Sequence, residues 1–185
     1  QNDYTVKMVQ QAFDYQDEDF MKDGTIVDNM LKGANQVMVN KMTSDFITEC
    51  AKASITHEAA AFGYDAVVDG IAKLNLEDES KLFIVIPTAW KADLRKDPDY
   101  VAARMGEVVY NGQVGTVAGI PVIVSKAAAD TYVAHKDAIK LFLKKDVEVE
   151  QERDANTRLN EAYSRKYYMA AMTDANECFK IVKSA

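Results

Sequence analysis

One long helical pattern, running without interruption from Thr25 to about Ala53, limits what this chain can fold into more than any other feature. Ile26/Val27, Met30/Leu31, Ala34, Val37/Met38, Met42, Phe46/Ile47 and Cys50/Ala51 recur every three or four residues, with no proline among them. That is the spacing of an amphipathic α-helix. At 1.5 Å per residue it predicts a rod of roughly 43 Å, well beyond the mean globular helix of about 11–12 residues. Thr25 with Asp28 marks its start. Asp28, Asn29, Lys32, Asn35, Asn40, Lys41, Thr43, Asp45 and Glu49 fill the remaining positions. One stripe therefore packs, and the rest meets water or a neighbouring chain.

Shorter elements stand on both sides of the rod. Residues 4–15 alternate loosely, as a strand does, and the acidic stretch 17–23 ends at Gly24. A short loop passes His57, "GYDAVVDGIAKL" (63–74) predicts a second amphipathic helix, and Glu77, Asp78 and Glu79 an acidic turn. "KLFIVIP" (81–87) is apolar without alternation, the pattern of a strand buried on both faces. Thr88 is expected to cap a short helix that buries Trp90 and Leu94 and ends at Asp97-Pro98. Two strand-like runs within 106–125 are split at Asn111-Gly112 and Gly115, with a bend at Gly119 and Pro121. A segment through Tyr132, a turn at 135–137 and a strand over 138–143 follow. "DVEVEQERD" (146–154) alternates strictly, 162–172 is a tyrosine-rich strand or helix with strand the favoured reading, and 176–183 closes the chain as a strand. The reading is mixed α+β, with one exceptional helix and several strand pairs on either side of a compact middle.

Composition narrows the function. The 185 residues, 48% hydrophobic and 28% charged, suffice for one sizeable domain or two small interleaved ones. A formal net charge of −7 and no Lys/Arg block argue against a protein that grips phosphate backbones. Cys50 and Cys178 lie far apart and form no C-x-x-C pair, so a reducing cytosol is the simpler inference than a disulfide framework. No apolar run approaches the roughly 20 residues that span a bilayer. No signal peptide is evident, and the opening without methionine predicts a trimmed or mature product.

Catalytic chemistry finds few residues. His57 and His135 are the only histidines, and neither has a serine or cysteine nucleophile in a recognisable context. His57 fits a surface position at a helix start, His135 a turn, and Cys50 lies on the apolar stripe of the rod. Residues 57–58 do not continue to H-E-x-x-H, and Asp17-Glu18-Asp19 lacks a calcium-loop glycine. Gly112, Gly115 and Gly119 match no phosphate-binding spacing and suit turns that need positive φ. Arg165, Lys166, Tyr167 and Tyr168 are a weak nucleic-acid signal that strand packing explains equally well. Glu148, Glu150 and Glu152 point one way on a strand. They read as a solvated face, or as one met by cations of a neighbouring subunit.

Taken in order, these elements resemble the tailed-phage major capsid protein family, whose fold is shared with encapsulin shells and the floor of herpesvirus capsids. "YTVKMVQQAFDYQDEDF" resembles the return arm of the family's extended loop, and the 25–53 rod its spine helix. "FGYDAVVDGIAKL" with "FIVIPTAWKADLRKDPDY" is similar to the axial-domain helix, central strand and short helix. "GQVGTVAGIPVIVSKAA" resembles the glycine-rich turn and G-x-P-V strand, and the stretch through "VEVEQERD" to "CFKIVK" the closing return. The family's N-terminal arm and most of its extended loop have no counterpart here.

The resemblance implies an α+β fold of the major-capsid type, with a peripheral domain (1–55 and 140–173) carrying the spine helix and an axial domain (56–139 and 174–185). It implies a structural subunit, not an enzyme, that assembles into hexamers and pentamers of an icosahedral shell around double-stranded DNA. No cofactor, metal or membrane is implied. The implied partners are copies of the chain, a scaffolding protein, a portal and packaged DNA held without specific grip. The implied location is the virion, with the host cytoplasm during assembly. Asp45, Glu49 and Lys52 on the rod, and Glu148, Glu150, Glu152, Arg153 and Arg158 on the peripheral strand and its loop, are the expected subunit-interface residues. An encapsulin-like compartment for protein cargo and a small cytosolic α+β enzyme are the alternatives. The first needs a cargo-peptide groove and the second a deep polar pocket.

Overall fold

A computed structural model of the chain describes residues 3–76, 79–103 and 115–184. In order the elements are β1 (Lys7–Gln16), α1 (Asp17–Lys22), α2 (Ile26–Cys50), β2 (Ile55–Ala59), α3 (Tyr64–Leu74), β3 (Leu82–Pro87), α4 (Lys91–Lys96), α5 (Pro98–Ala103), β4 (Thr116–Val117), β5 (Ile120–Ser125), β6 (Thr131–His135), β7 (Ile139–Asp154), β8 (Leu159–Met172), a 3-10 turn (Ala175–Glu177) and β9 (Cys178–Lys183).

The long pattern folds as one helix. α2 has 25 residues, which makes it about 37 Å long at 1.5 Å per residue. It starts at the expected Thr25. Asp23 holds the turn just ahead of it: Oδ1 accepts from the Thr25 N–H at 2.9 Å and from the Thr25 hydroxyl at 2.7 Å. This turn sets Thr25 to accept the first helical bond, from the Asn29 N–H. The helix ends before Ala53 because its last turn tightens. Lys52 and Ala53 donate to the carbonyls of Glu49 and Cys50, three residues back.

The chain divides into two compact units, each built from two separate stretches: Gln1–Asp45 with Leu141–Ala171, and Phe46–Lys140 with Met172–Ala185. The sequence expectation drew the first boundary at 55/56. The difference arises because Phe46, Ile47 and Cys50, on the last turns of α2, pack in the core of the second unit.

The first unit is a three-stranded sheet, in order β1-β8-β7, covered on one face by α2. β1 runs antiparallel to β8 from Lys7 opposite Tyr168 to Gln16 opposite Leu159. On β8, Asn160, Ala162, Ser164, Tyr168 and Ala170 are buried, in the two-residue period of a strand that faces a helix on one side. From α2 the buried residues are Ala34, Met38 and Asp45. The Ser164 hydroxyl meets the Met38 sulfur at 3.8 Å, and the Tyr168 hydroxyl donates to Asp45 at 2.6 Å. Two strands expected separately, over 138–143 and 146–154, are one strand, β7, since no proline or glycine interrupts them.

The second unit is a mixed six-stranded sheet, in order β2-β9-β6-β3-β5-β4, with an apolar core on each face. Alternation sends neighbouring residues to opposite cores. Leu82, Ile84 and Ile86 of β3 join Val67, Ile71 and Leu74 of α3, while Phe83 and Val85 join Ile47 and Cys50 of α2. β9 does the same, with Phe179 and Ile181 on one side and Cys178 on the other. This two-sided burial explains the unbroken apolar run of β3. Between β4 and β5, Ala118 and Gly119 both take positive φ, 50° and 80°, and close the two-residue hairpin.

Several local expectations change. His57 lies in β2, which pairs in parallel with β9, and not in a loop. Trp90, not Thr88, precedes α4, and no side chain caps that helix. Pro98 ends α4 but also opens α5, where a missing N–H costs nothing. The run at 106–110, the Asn111-Gly112 turn and Glu77-Asp78 lie outside the described residues.

Two glycines set up a test with opposite signs. A Cβ on Gly70 of α3 would stand 2.1 Å from the Phe179 ring, whereas one on Gly33 of α2 meets nothing within 4 Å. Gly70→Ala is expected to cost roughly 1–3 kcal/mol by overpacking, and Gly33→Ala to gain about 1 kcal/mol by helix propensity, both read from urea midpoints. A second test concerns Asp45. Burial is the largest single influence on its carboxyl and opposes ionisation, yet the Tyr168 hydroxyl and the Lys41 and Lys7 ammoniums together hold the pKa below the ordinary 3.8. The ionised group therefore favours folding above that ordinary value, and its contribution is lost as pH falls through the lower folded value. Asp45→Asn is expected to flatten the fall in the urea midpoint below about pH 4.

Candidate assembly surfaces

The residues expected to meet neighbouring subunits divide into two groups. Asp45 and Glu49 do not face outward. Both are 7% exposed and both are paired within the chain. Lys41 and Lys7 stand 3.3 and 3.4 Å from Asp45, beside the Tyr168 hydroxyl. Lys52 reaches back one turn to both oxygens of Glu49, at 2.7 and 2.8 Å. The correction has a simple cause. These carboxylates fall on the packed side of a helix that carries a narrow apolar stripe, so periodicity counted them with the wet face while neighbouring elements covered them. Burial and the bond to Asp45 together push the Tyr168 hydroxyl up.

The second group lies on β7 and its hairpin. Glu148 and Glu150 share one cation, Arg165 of β8, at 3.2 Å from Glu148 and in close contact with Glu150. Lys145 adds a 2.8 Å bridge to Glu148. The Lys145 contact, ahead of Arg165, lowers the Glu148 carboxyl despite some desolvation. Arg153 donates to Asp17 at 2.6 Å, and the Asn160 amide donates to its other oxygen at 2.7 Å. Those two bonds, Asn160 first, hold Asp17 below the usual range. Glu152 and Arg158 are exposed. Arg158 takes a left-handed conformation, φ 54°, at the end of the hairpin turn. Asp154 organises that turn by accepting from the Asn156 N–H at 2.9 Å and the Thr157 hydroxyl at 2.8 Å.

Sequence reasoning missed the exposed apolar residues of β7, Leu141, Phe142, Leu143, Val147 and Val149. Their signal was present, since four of them alternate in a strand whose other row carries charge, but the pattern reads equally well as a half-buried strand. Sequence reasoning also assigned Cys50 to the core without a companion. Cys178 is buried in the same cluster, its Sγ 3.9 Å from the Cys50 carbonyl oxygen.

Two concavities stand out. One of about 290 Å³ in the first unit is lined by Tyr15, Asp17, Phe20, Met21, Arg153 and Asn160. One of about 460 Å³ in the second unit lies between the start of α3 and α4, beside Asp65, Asp93 and Asp97. Asp97 is committed to structure there, accepting from the Tyr64 N–H at 2.6 Å and the Asp99 N–H at 3.0 Å. Among the described residues, no three His, Cys, Asp or Glu side chains are placed to hold a metal, and no helix is long and apolar enough to cross a membrane. His57 stands 3.0 Å from Lys73, and His135 accepts from the Asp137 N–H at 3.3 Å.

No family model matches the chain. Over 152 residues, 79% of its length, it is 30% identical to a protein named major capsid protein from Staphylococcus phage phiMR11, and the match spans 56% of that relative. Its fold matches a structure of Mycobacterium phage Che8, with a TM-score of 0.78 and 11% identity over 95% of this chain and 70% of that one. It matches the capsid of cyanophage P-SCSP1u at 0.79 and 10%, over 98% and 73%. The holo-SrpI encapsulin complex from Synechococcus elongatus PCC 7942 follows at 0.75 and 11%, over 95% and 73%. At such identities the solved structures speak for the fold alone. The α+β architecture is the fold of phage major capsid proteins, and the chain resembles one of them in sequence as well.

Proposed function

We propose that this chain is the shell-forming part of a tailed-phage major capsid protein, a structural subunit that assembles with its own copies into hexamers and pentamers around double-stranded DNA. The observation that carries this reading is the 30% identity to a phage major capsid protein over 79% of the chain, joined to a fold found in phage capsids. In this reading the first unit is the peripheral domain and the second the axial domain, which packs about five- and six-fold axes. The chain works by repeated contact and not by catalysis. A scaffolding protein and a portal are its further partners, and it moves from the host cytoplasm into the virion.

Physical features agree with that role. Shell subunits make many repeated contacts that close by symmetry, and such contacts need exposed apolar surface flanked by charge. β7 offers both. The net charge of −7 disfavours adhesion to packaged DNA, so DNA moves past without sequence-specific grip. An encapsulin-like compartment is the second reading, supported by the match to the encapsulin complex. The sequence relative is a phage protein, which favours the viral reading.

The test is electron microscopy of the full-length protein expressed alone. Closed shells, rings or tubes are the expected result. A folded protein that stays monomeric under all assembly conditions would overturn the reading, and shells that fill with a defined protein cargo would favour the compartment instead.

A further inference from the structure

The first unit leaves its apolar side chains open in a way that the second does not. Among the described residues thirteen large hydrophobic side chains are exposed, and all but Val68 and Ile123 lie in the first unit. Five are on β7 alone, Leu141, Phe142, Leu143, Val147 and Val149, each 41–54% exposed. Among the described residues β7 is also the edge of its sheet, a 16-residue strand with β8 on one side and no strand on the other. A long edge strand with an aliphatic row is a template for another strand unless something covers it.

The charges of β7 say what fits. Lys140, Lys144 and Lys145 occupy its first half, and Asp146, Glu148, Glu150, Glu152 and Asp154, with the single cation Arg153, its second. A strand that is basic at its head and acidic at its tail is complementary to itself run antiparallel. We propose that β7 is a seam for a second copy of this chain, two β7 edges pairing antiparallel about a two-fold axis at Lys145.

In that register residues directly opposite share a face. Leu141 meets Val149 and Leu143 meets Val147 on one face. Lys140 meets Glu150 and Lys144 meets Asp146 on the other, each adding a second cation to a carboxylate that Arg165 or Lys166 of its own chain already approaches, and Phe142 meets Glu148 there. The two Lys145 side chains approach each other at the axis, but each is bridged at 2.8 Å to Glu148 of its own chain. Neighbouring registers are worse. An axis at Asp146 sets that carboxylate against itself, and an axis at Val147 sets it against Glu148. The interface is isologous, so each favourable pair occurs twice. The seam stands apart from the shell reading, because it is argued from one strand and requires no closed particle.

Sedimentation velocity of the chain tests it. A dimer is expected whose dissociation constant rises by about tenfold in Lys144→Glu and in Asp146→Lys and returns close to that of the parent in the double variant, where the charges are exchanged. Circular dichroism confirms that each variant is folded. A second measurement does not depend on those variants. With diamide, which takes one hydrogen from each of two thiols, Lys145→Cys is expected to give a disulfide-linked dimer. Met21→Cys, at a side chain 85% exposed, serves as the control. The native Cys50 and Cys178 are fully buried and do not compete. A chain that stays monomeric, single variants that leave the dimer unchanged, or a control that cross-links as readily as Lys145→Cys would each overturn the seam. Shells that form from a monomeric chain would sink the seam and leave the proposed function standing. A dimer that never forms shells would do the reverse.

Discussion

The fold depends on a single helix that changes partners partway along its length. Through Asp45, α2 packs on the three-stranded sheet with Ala34 and Met38, and its last buried group there is a carboxylate held by the Tyr168 hydroxyl. From Phe46 onward Ile47 and Cys50 fill one face of the six-stranded sheet, and the buried carboxylate of Glu49 is held by Lys52. A straight apolar stripe would serve one partner only. The weak overall amphipathicity of α2, with Val37 and Val39 left exposed, reflects service to two. Asp45 sits at the change. There the Tyr168 hydroxyl of β8 donates to it at 2.6 Å, so that turn of the helix lies against Tyr168.

Much of the architecture was legible because it follows from period and punctuation. α2 showed in its 3.6-residue recurrence, β3 in an apolar run bounded by Lys81 and Pro87, and α3 in Val67, Ile71 and Leu74. The elements that escaped are those whose identity is decided by distant pairing. β2 is five residues of mixed polarity that become a strand because β9, more than a hundred residues later, lies parallel to them. The start of α2 at Thr25 was legible, but only the fold shows that the Asp23 carboxylate takes the Thr25 N–H.

The assembly surface was half legible. Charge alternation on β7 was plain in the sequence, but charge alone does not say which groups are already paired. Glu148 and Glu150 lean on Arg165, Arg153 on Asp17, and Lys52 on Glu49. Most of the ionic groups first assigned to neighbours are engaged at home. What remains open is apolar: the Leu141, Leu143, Val147 and Val149 row. Acidic rows alone repel one another, whereas a strand with segregated charge and an aliphatic face is complementary to its own antiparallel image.

Amide hydrogen exchange along α2 tests the central claim most directly, that one continuous rod is buried successively by two different cores. The account expects slow exchange from about Ala34 through Cys50, with protection unbroken across Ser44–Ile47. Rapid exchange confined to that short stretch, with protected helix on either side, would mean two helices joined by a hinge, and the account would fail.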